Sequence, residues 1–310
     1  MYQNNEKSSS KHWETDHVIV YEDNAIKLLK FSSGDNVPII LVPPQAGHHS
    51  YIADYGKEQS LVHSAAQNYS GAVYAIEWKP CTWIRRNEGI EDLLSQLGTA
   101  VDFAGKQVSL VGLCQGGWLA TIYASLYPSK VSKLIIAGSP IDTHSGKSIL
   151  HKVTKLPMFM YQHMVVMGFG LMKGDMMLAS WKSGNPKTHY IDRYTKPNEQ
   201  TEHFYKWYDH TQDLAGKWYL WAIKNLFKKN KLGLNKLNIA GNHVDLGELS
   251  KLDAVHIVVG KKDDITPPEQ SLTLQKYVNS KIHSIDAGHI GVFMGKKGIN
   301  DIWNPLFSGL

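Results

Sequence analysis

Short apolar runs alternate along the chain with amphipathic helical patterns. Eight of these runs are bounded by turn residues, as strands are. The predicted strands are Val18–Tyr21, Ala25–Phe31, Pro38–Pro43, Ala72–Glu77, Val108–Gly112, Lys133–Ala137, Val255–Gly260 and Ile282–Asp286. From Pro38 onward the runs are almost continuously apolar, which is typical of strands buried on both faces of a parallel sheet. The alternation therefore predicts an α/β fold with a mostly parallel central sheet flanked by helices.

The alternation stops between about residues 143 and 246. That interval has a helical pattern without a clear strand, and it holds seven of the nine methionines and four of the nine tryptophans. An insertion between two strands is expected to lie over one edge of the sheet as a cap. Its methionines would suit either a surface that adapts to a flexible apolar ligand or ordinary core packing. The predicted organisation is a polar N-terminal tail over 1–17, a core over 18–142 and 247–310, and a helical cap over 143–246.

The composition narrows the class of protein. Hydrophobic residues make up 43% of the 310 residues and charged residues 20%, which predicts a sizeable core and excludes a disordered chain. Two cysteines cannot form a disulfide framework. The 33 basic residues are balanced along the chain by 28 acidic ones, unlike the basic stripe of a nucleic-acid binder. This charge balance predicts no nucleic-acid partner. Residues 1–17 lack the apolar segment of a secretory signal, so we expect a cytoplasmic protein. The most apolar stretch, Leu156–Met172, falls short of the roughly 20 apolar residues of a membrane span, so we expect no transmembrane segment.

The clearest chemical motif lies at 112–116, where an apolar strand pattern ends in Gly-Leu-Cys-Gln-Gly and passes at once into a helical pattern. This strand–turn–helix context is that of a nucleophile elbow, in which the nucleophile occupies a strained turn between two glycines. The motif predicts Cys114 as the nucleophile and Gly112 and Gly116 as the elbow glycines. The backbone N–H of Gln115, at the start of the helix, is the predicted first oxyanion donor.

A candidate acid and a candidate base follow in the chain order of α/β hydrolases, which is nucleophile, acid and then histidine. Asp263 stands in the loop after the strand at 255–260, and His289 stands in the loop after the last predicted strand. We assign Asp263 as the acid that orients His289 and His289 as the base, with Asp264 as the less favoured acid. Each residue could alone be structural, but their order favours a Cys-His-Asp triad with Cys114 in an α/β-hydrolase fold.

Ligand sites are less well marked in the sequence. The loop after the strand at 38–43 is where a second oxyanion donor is usual, and the backbone N–H of Gln45 or Ala46 is the candidate. The histidine pair at 48–49 lacks a third ligand at a recognisable spacing, so we predict no metal site and no cofactor. The other cysteine, Cys81, has no motif around it and is expected to be structural.

From about Pro38 to Met294 the sequence resembles the polyhydroxyalkanoate synthases, in which cysteine replaces the usual serine of a lipase-like box. The resemblance is carried by Leu41–Pro44, Gly112–Gly117, Ser139–Asp142, Asn230–Leu232, Gly241–Leu246 and Gly288–Ile290. Around Ala46–His48 and Asp263–Pro268 the chain is also similar to uncharacterised bacterial synthase-like α/β hydrolases.

This resemblance implies a cytoplasmic acyltransferase that moves 3-hydroxyacyl groups from CoA to a hydroxyl. By similarity Cys114 takes the acyl group, His289 activates the thiol and the hydroxyl, and Asp263 orients His289. The expected partner is a small acyl-CoA or a polyester, and a polymer granule surface and a homodimer are further expectations. Asp264 and Pro268 stand where the synthases normally carry His and Trp. A hydrolase of the same fold (an intracellular polyhydroxyalkanoate depolymerase, an esterase or a thioesterase) and a non-catalytic granule- or partner-binding module therefore remain as alternatives.

Overall fold

The computed structural model describes residues 13–46, 50–151, 155–183 and 199–310. The start of the predicted tail, the histidine pair at 48–49 and the part of the predicted cap at 184–198 lie outside these residues. The strands are β1 (Val18–Glu22), β2 (Ile26–Val42), β3 (Gly71–Trp78), β4 (Val108–Leu113), β5 (Val131–Ala137), β6 (Leu171–Met172), β7 (Leu214–Ala215), β8 (Asn238–Ile239), β9 (Asn242–His243), β10 (Ala254–Gly260) and β11 (Lys281–Ile285).

Helices follow most of these strands. The α-helices are α1 (Leu61–Asn68), α2 (Ile90–Ala104), α3 (Gln115–Leu126), α4 (Met158–Met167), α5 (Gly174–Ser183), α6 (Glu199–Tyr208), α7 (Gly216–Ala222), α8 (Pro268–Leu272), α9 (His289–Met294), α10 (Lys296–Gly298) and α11 (Asn304–Ser308). Short 3₁₀ helices lie at Ser50–Ala53, Trp83–Arg85, Pro128–Lys130, Leu246–Lys251 and Thr273–Lys276, and π-helical turns at Ile223–Lys228 and Ile299–Trp303.

Seven strands form the central sheet, in the order β1-β2-β4-β5-β10-β11 with β3 paired to β2. The pairs β2–β4, β4–β5, β5–β10 and β10–β11 are parallel, so the carboxyl ends of β4, β5, β10 and β11 lie at one edge of the sheet. The predicted α/β class and mostly parallel sheet are confirmed. This common edge is where the loops carrying the candidate site residues meet.

The sheet buries apolar side chains on both faces, as its continuous apolar strands predict. Alternate residues of one strand enter different clusters: Ile40 and Val42 of β2 pack with the helices on one side, and Ile39 and Leu41 pack on the other. All eight residues of β3 are buried. The edge that carries the site therefore rests on a core that is filled on both sides.

Two of the predicted strands, at 25–31 and 38–43, are joined in the structure. They form the single long strand β2, because Ser32 lies opposite Val73 and residues 35–36 lie opposite Gly71. As a result, the two halves of β2 both pair with β3. A pattern of alternating apolar residues could not show this, because the joining residues 32–37 are mostly polar and exposed.

Trp13, which lies within the predicted polar tail, is buried in the described structure. Its indole nitrogen donates a hydrogen bond of 2.7 Å to Glu77, and Thr15 donates hydrogen bonds of 2.8 Å to Asp54. The chain is therefore already part of the core before β1 begins. The polar composition of its first residues concealed this, because a single buried indole leaves no periodic pattern.

The described part of the predicted cap, residues 143–246, contains α4 to α7 and two small sheets, β6–β7 and β8–β9. Each of these strands has two residues, which is too short for a sequence pattern to detect. The indole of Trp218 on α7 packs 5.6 Å from that of Trp118 on α3, which joins this region to the helix that follows Cys114. Among the methionines, Met172 is buried in the core while Met167 is exposed, so the enrichment includes both packing and surface residues.

Buried hydrogen bonds join the start of this region to Asn230, which lies further along it. The Asp142 carboxylate accepts a hydrogen bond of 2.6 Å from the side-chain nitrogen of Asn230. The side-chain oxygen of Asn230 accepts one of 3.1 Å from the backbone N–H of Thr143. Asn230 itself has a φ of 46°, a conformation that asparagine tolerates better than most residues. Two of the motifs shared with the synthases thus meet in one buried polar cluster.

We expect Asn230→Ala to lower the free energy of unfolding by about 2–4 kcal/mol, because it removes a buried hydrogen bond to the Asp142 carboxylate and the acceptor of the Thr143 N–H. Urea denaturation followed by circular dichroism measures the change. Asn230→Gly loses the same hydrogen bonds but relieves the strain of the positive φ. Its free energy of unfolding should therefore exceed that of Asn230→Ala by no more than about 1 kcal/mol. Full recovery with glycine would show that the hydrogen bonds contribute nothing.

Candidate active site

A sharp turn at Cys114 connects β4 to α3. Cys114 has a φ of 50° and a ψ of −117°, a combination that costs energy for a residue with a side chain. Two hydrogen bonds hold the turn: the Cys114 N–H donates to the carbonyl of Ala137 over 2.8 Å, and the Gly117 N–H donates to the carbonyl of Cys114 over 3.0 Å. The thiol is only partly buried. The turn therefore presents the sulfur at the carboxyl edge of the sheet.

Glycines allow the backbone to approach itself around this turn. A Cβ at Gly112 would lie 2.4 Å from the Cα of Gly117, and a Cβ at Gly116 would lie 1.8 Å from the carbonyl oxygen of Val42. The structure thus packs backbone against both predicted elbow glycines. Sequence reasoning missed a third: a Cβ at Gly117 would lie 1.7 Å from the Ser139 hydroxyl. The Gly-Gly pair at 116–117 was the available signal.

The imidazole of His289 joins the predicted nucleophile to the predicted acid. His289 begins α9, after the loop that follows β11, and its side chain is buried. Its Nε2 lies 3.3 Å from the Sγ of Cys114, and its Nδ1 lies 2.7 Å from Oδ2 of Asp263. The structure therefore brings the three predicted residues into one contact chain, in which Nδ1–H donates to the carboxylate and Nε2 faces the sulfur.

Asp263 lies in the loop that follows β10, and its side chain is fully buried. While Oδ2 contacts His289, Oδ1 accepts hydrogen bonds from the backbone N–H groups of Ile265 (3.0 Å) and Thr266 (2.7 Å). These bonds fix the carboxylate toward the imidazole. The neighbouring Asp264 is exposed, so the contact with His289 belongs to the acid that the sequence favours.

Electrostatics in the site favour a charged imidazole. Burial by itself lowers the pKa of His289, but the interactions of its imidazole with the Cys114 sulfur and with the Asp263 carboxylate outweigh burial and raise the pKa to about 10. A thiolate is the nucleophilic form of cysteine, and a neighbouring imidazolium stabilises it. The protonated imidazole is therefore favoured, with Nε2 facing the Cys114 sulfur.

Two residues that the sequence analysis did not identify position the imidazole. Gly138 follows β5 with a φ of 49°, and a Cβ there would lie 3.3 Å from Cε1 of His289 and 3.0 Å from the ring of Phe293. Phe293 packs edge-on against the imidazole, with ring centroids 5.3 Å apart. A glycine directly after a predicted strand was the only sequence signal for this contact.

The predicted oxyanion donors have an unexpected partner. The backbone N–H groups of Gln45 and Ala46 donate hydrogen bonds of 2.9 Å and 2.7 Å to the side-chain oxygen of Gln115. The backbone N–H of Gln115 lies in the first turn of α3, where helices leave N–H groups without a helical acceptor. The structure thus brings all three predicted residues together, but the side chain of one of them occupies the donors of the other two.

Residues outside this cluster have other roles. Cys81 is buried away from the motif, and desolvation raises the pKa of its thiol to about 11, which disfavours the reactive thiolate. Within the described residues, no group of three or more His, Cys, Asp or Glu side chains could hold a metal ion. None of the described helices combines the length and apolar character needed to cross a membrane.

Comparison with known proteins assigns the chain to a family. Residues 138–307, more than half of the chain, match the family described as PHB de-polymerase C-terminus. The chain belongs to this family. The matched region includes Asp263 and His289, while the turn at Cys114 precedes it.

Relatives whose names state a function support the resemblance found in the sequence. The poly(3-hydroxyalkanoate) polymerase subunit PhaC of Haloferax mediterranei is 25% identical over 314 residues, which cover 94% of this chain and 62% of the relative. The subunit of the same name from Haloarcula marismortui is 25% identical over 94% of this chain and 66% of its own length. That from Synechocystis sp. is 26% identical over 91% and 81%. The resemblance is confirmed, and the chain spans less than two thirds of the first two relatives.

Solved structures show the same fold. The monoacylglycerol lipase of Paleococcus ferrophilus has a TM-score of 0.56 and 20% identity, covering 92% of this chain and 99% of the lipase. An epoxide hydrolase of Bacillus megaterium in complex with an inhibitor has a TM-score of 0.58 and 17% identity, covering 91% and 97%. The predicted α/β-hydrolase fold is confirmed.

We expect Asp263→Asn to lower the pKa of His289 by about one to three pH units, because it removes a buried negative charge beside Nδ1. An NMR titration of the His289 Cε1–H resonance measures this pKa. The matched control is Asp264→Asn, which removes an exposed carboxylate and should leave the pKa unchanged. A larger fall in the control than in Asp263→Asn would mean that Asp264 is the acid.

Proposed function

We propose that this protein is an enzyme that transfers acyl groups through a covalent acyl-Cys114 intermediate. The proposed reaction is of the polyhydroxyalkanoate synthase type, in which a 3-hydroxyacyl group moves from CoA to a hydroxyl. One observation carries the proposal: the unbroken contact chain from the Cys114 sulfur through His289 to the Asp263 carboxylate. The relatives named as poly(3-hydroxyalkanoate) polymerase subunits support the substrate class.

In the first half-reaction the Cys114 sulfur gives its proton to Nε2 of His289 and attacks the carbonyl carbon of an acyl-CoA thioester. The negative charge that develops on the carbonyl oxygen is stabilised by the backbone N–H of Gln115 at the start of α3. Collapse of the tetrahedral intermediate breaks the bond to the CoA sulfur. That sulfur takes the proton from Nε2 of His289, free CoA leaves, and the acyl group stays on Cys114.

In the second half-reaction the acceptor hydroxyl attacks the acyl-cysteine. Nε2 of His289, now neutral, takes the hydroxyl proton as the new ester bond forms, and the Cys114 thiolate leaves. The Asp263 carboxylate holds Nδ1–H, which keeps the tautomer that leaves Nε2 free to accept this proton. The imidazole thus carries one proton in each half-reaction and returns to its starting state.

Cysteine suits this reaction better than serine. Exchange of the CoA thioester for an enzyme thioester is nearly isoenergetic, so the acyl-cysteine stays reactive toward a hydroxyl, whereas an acyl-serine would be a less activated ester. We propose a cytoplasmic location, since CoA thioesters are the proposed substrates and both cysteines are free. A polymer granule surface and a homodimer stay predictions, and the proposed chemistry requires no cofactor.

Hydrolysis is the second candidate, and the family description PHB de-polymerase C-terminus favours it. The same three residues would act, and water would replace the hydroxyl as the acceptor. The two candidates share the acyl-cysteine and differ only in how far water is excluded from it. They are therefore separated by their products.

Incubation with 3-hydroxybutyryl-CoA, followed by chromatography of the products, tests the proposal. We expect free CoA together with polyester from the wild-type protein, and a loss of more than about a thousandfold in Cys114→Ala, because the nucleophile is removed. The matched control is Cys81→Ala, which removes the other cysteine and should keep the rate.

Each other product pattern supports a different function. Free CoA with free 3-hydroxybutyrate and no polyester would favour the hydrolase. Turnover by Cys114→Ala at the wild-type rate would contradict covalent catalysis. If the wild-type protein released no CoA from the thioester and no acid from a solubilised polyester, the alternative of a non-catalytic binding module would be supported.

A further inference from the structure

The side chain of Gln115 contacts the loop that should stabilise the reacting carbonyl. Its oxygen, Oε1, accepts hydrogen bonds from the backbone N–H groups of Gln45 (2.9 Å) and Ala46 (2.7 Å). Donors that stabilise an oxyanion lie about 2.7–3.1 Å from the oxygen they bind. An amide oxygen is an acceptor of the same kind as a thioester oxygen. Oε1 therefore meets these two donors as a substrate oxygen would.

Other contacts hold this loop in place without Gln115. The carbonyl of Gln45 accepts a hydrogen bond of 2.9 Å from the side chain of Gln212, which is buried in the predicted cap. The carbonyl of Pro43 accepts one of 2.8 Å from the indole nitrogen of Trp78. Because the loop is fixed from two other directions, support of the loop does not require the Gln115 side chain. Its contact with both N–H groups calls for a different role.

The position of Gln115 suggests that role. Gln115 follows Cys114 directly. Its backbone N–H at the start of α3 is therefore close to an acyl group carried by Cys114. Its side chain is only partly buried, so it has room to move away from the two N–H groups. A carbonyl oxygen that uses the N–H groups of Gln45 and Ala46 must first displace Oε1.

We propose that Gln115 Oε1 is an internal substitute for the substrate oxygen. It satisfies the N–H groups of Gln45 and Ala46 in the resting enzyme and yields them to the thioester carbonyl when Cys114 is acylated. The inference rests on the proposed function, since it requires an acyl group on Cys114. The Gln115 side chain thus competes with the substrate, and its strength as an acceptor sets the rate of acylation.

Two substitutions change the acceptor in opposite directions. Gln115→Met keeps a side chain of similar length without an acceptor, so it frees the two N–H groups and should raise the rate of acylation about fivefold. Gln115→Glu places a carboxylate on the same donors, and its stronger charge-assisted hydrogen bonds should lower the rate at least about tenfold. The probe is p-nitrophenyl acetate at pH 7.5 under single-turnover conditions, with release of p-nitrophenolate as the readout.

Alkylation by iodoacetamide provides the matched control. It consumes the same Cys114 thiolate but displaces iodide from carbon, so no oxyanion forms. The measured quantity is the ratio of the acylation rate to the alkylation rate for each protein, which cancels any effect of the new side chain on the thiol or on folding. We expect this ratio to rise in Gln115→Met and to fall in Gln115→Glu.

The outcomes separate this inference from the proposed function. If the ratio falls or stays constant in Gln115→Met, or does not fall in Gln115→Glu, Gln115 is not a substitute for the substrate oxygen, although Cys114 can still be the nucleophile. If Cys114 is alkylated but none of the three proteins is acylated, the proposed function fails, and this inference fails with it.

Discussion

Close backbone packing around Cys114 is the constraint on which the rest of the site depends. A side chain held at positive φ costs about 1–2 kcal/mol, and here two backbone hydrogen bonds and the contacts at Gly112 and Gly116 hold it. Any side chain at those glycines would push α3 away from β2 or β4. The thiol would then lose its place at the sheet edge, and with it the contact to His289.

The sheet order explains how distant parts of the sequence meet. In the order β4-β5-β10-β11, the loop after β11 must reach across the ends of β10 and β5 to place His289 beside Cys114. Asp263 follows β10 and holds the far nitrogen of the ring. Gly138, at the end of β5, leaves the space in which the imidazole crosses. The contacts from Cys114 through His289 to Asp263 thus depend on the order of the strands and on the absence of a side chain at Gly138.

The sequence could predict what strong local patterns encode. Continuous apolar runs mark the parallel strands, and a strand–turn–helix pattern around a Gly-x-Cys-x-Gly motif marks the turn at Cys114. Chain order then selects Asp263 and His289, because loops after parallel strands share an edge of the sheet. The α/β-hydrolase fold follows from the same patterns, and the solved structures confirm it.

Features that depend on tertiary neighbours could not be predicted in the same way. The burial of Trp13 requires Glu77 as its partner, and the space at Gly138 is needed only because His289 lies above it. The hydrogen bonds from the backbone N–H groups of Gln45 and Ala46 to the Gln115 side chain join residues about seventy positions apart. The strands β6 to β9 have two residues each, which is too few for a repeating hydrophobic pattern to show. In each case the information lies in a contact and not in a local pattern.

The central claim is that the Cys114 sulfur carries the acyl group during the reaction. Rapid quenching of the wild-type protein with 3-hydroxybutyryl-CoA, followed by peptide mass spectrometry, tests it most directly. The account predicts a 3-hydroxybutyryl group on the peptide that contains Cys114, formed at least as fast as CoA is released. Release of CoA without an acyl group on that peptide, or with the acyl group on the peptide of Cys81, would contradict it.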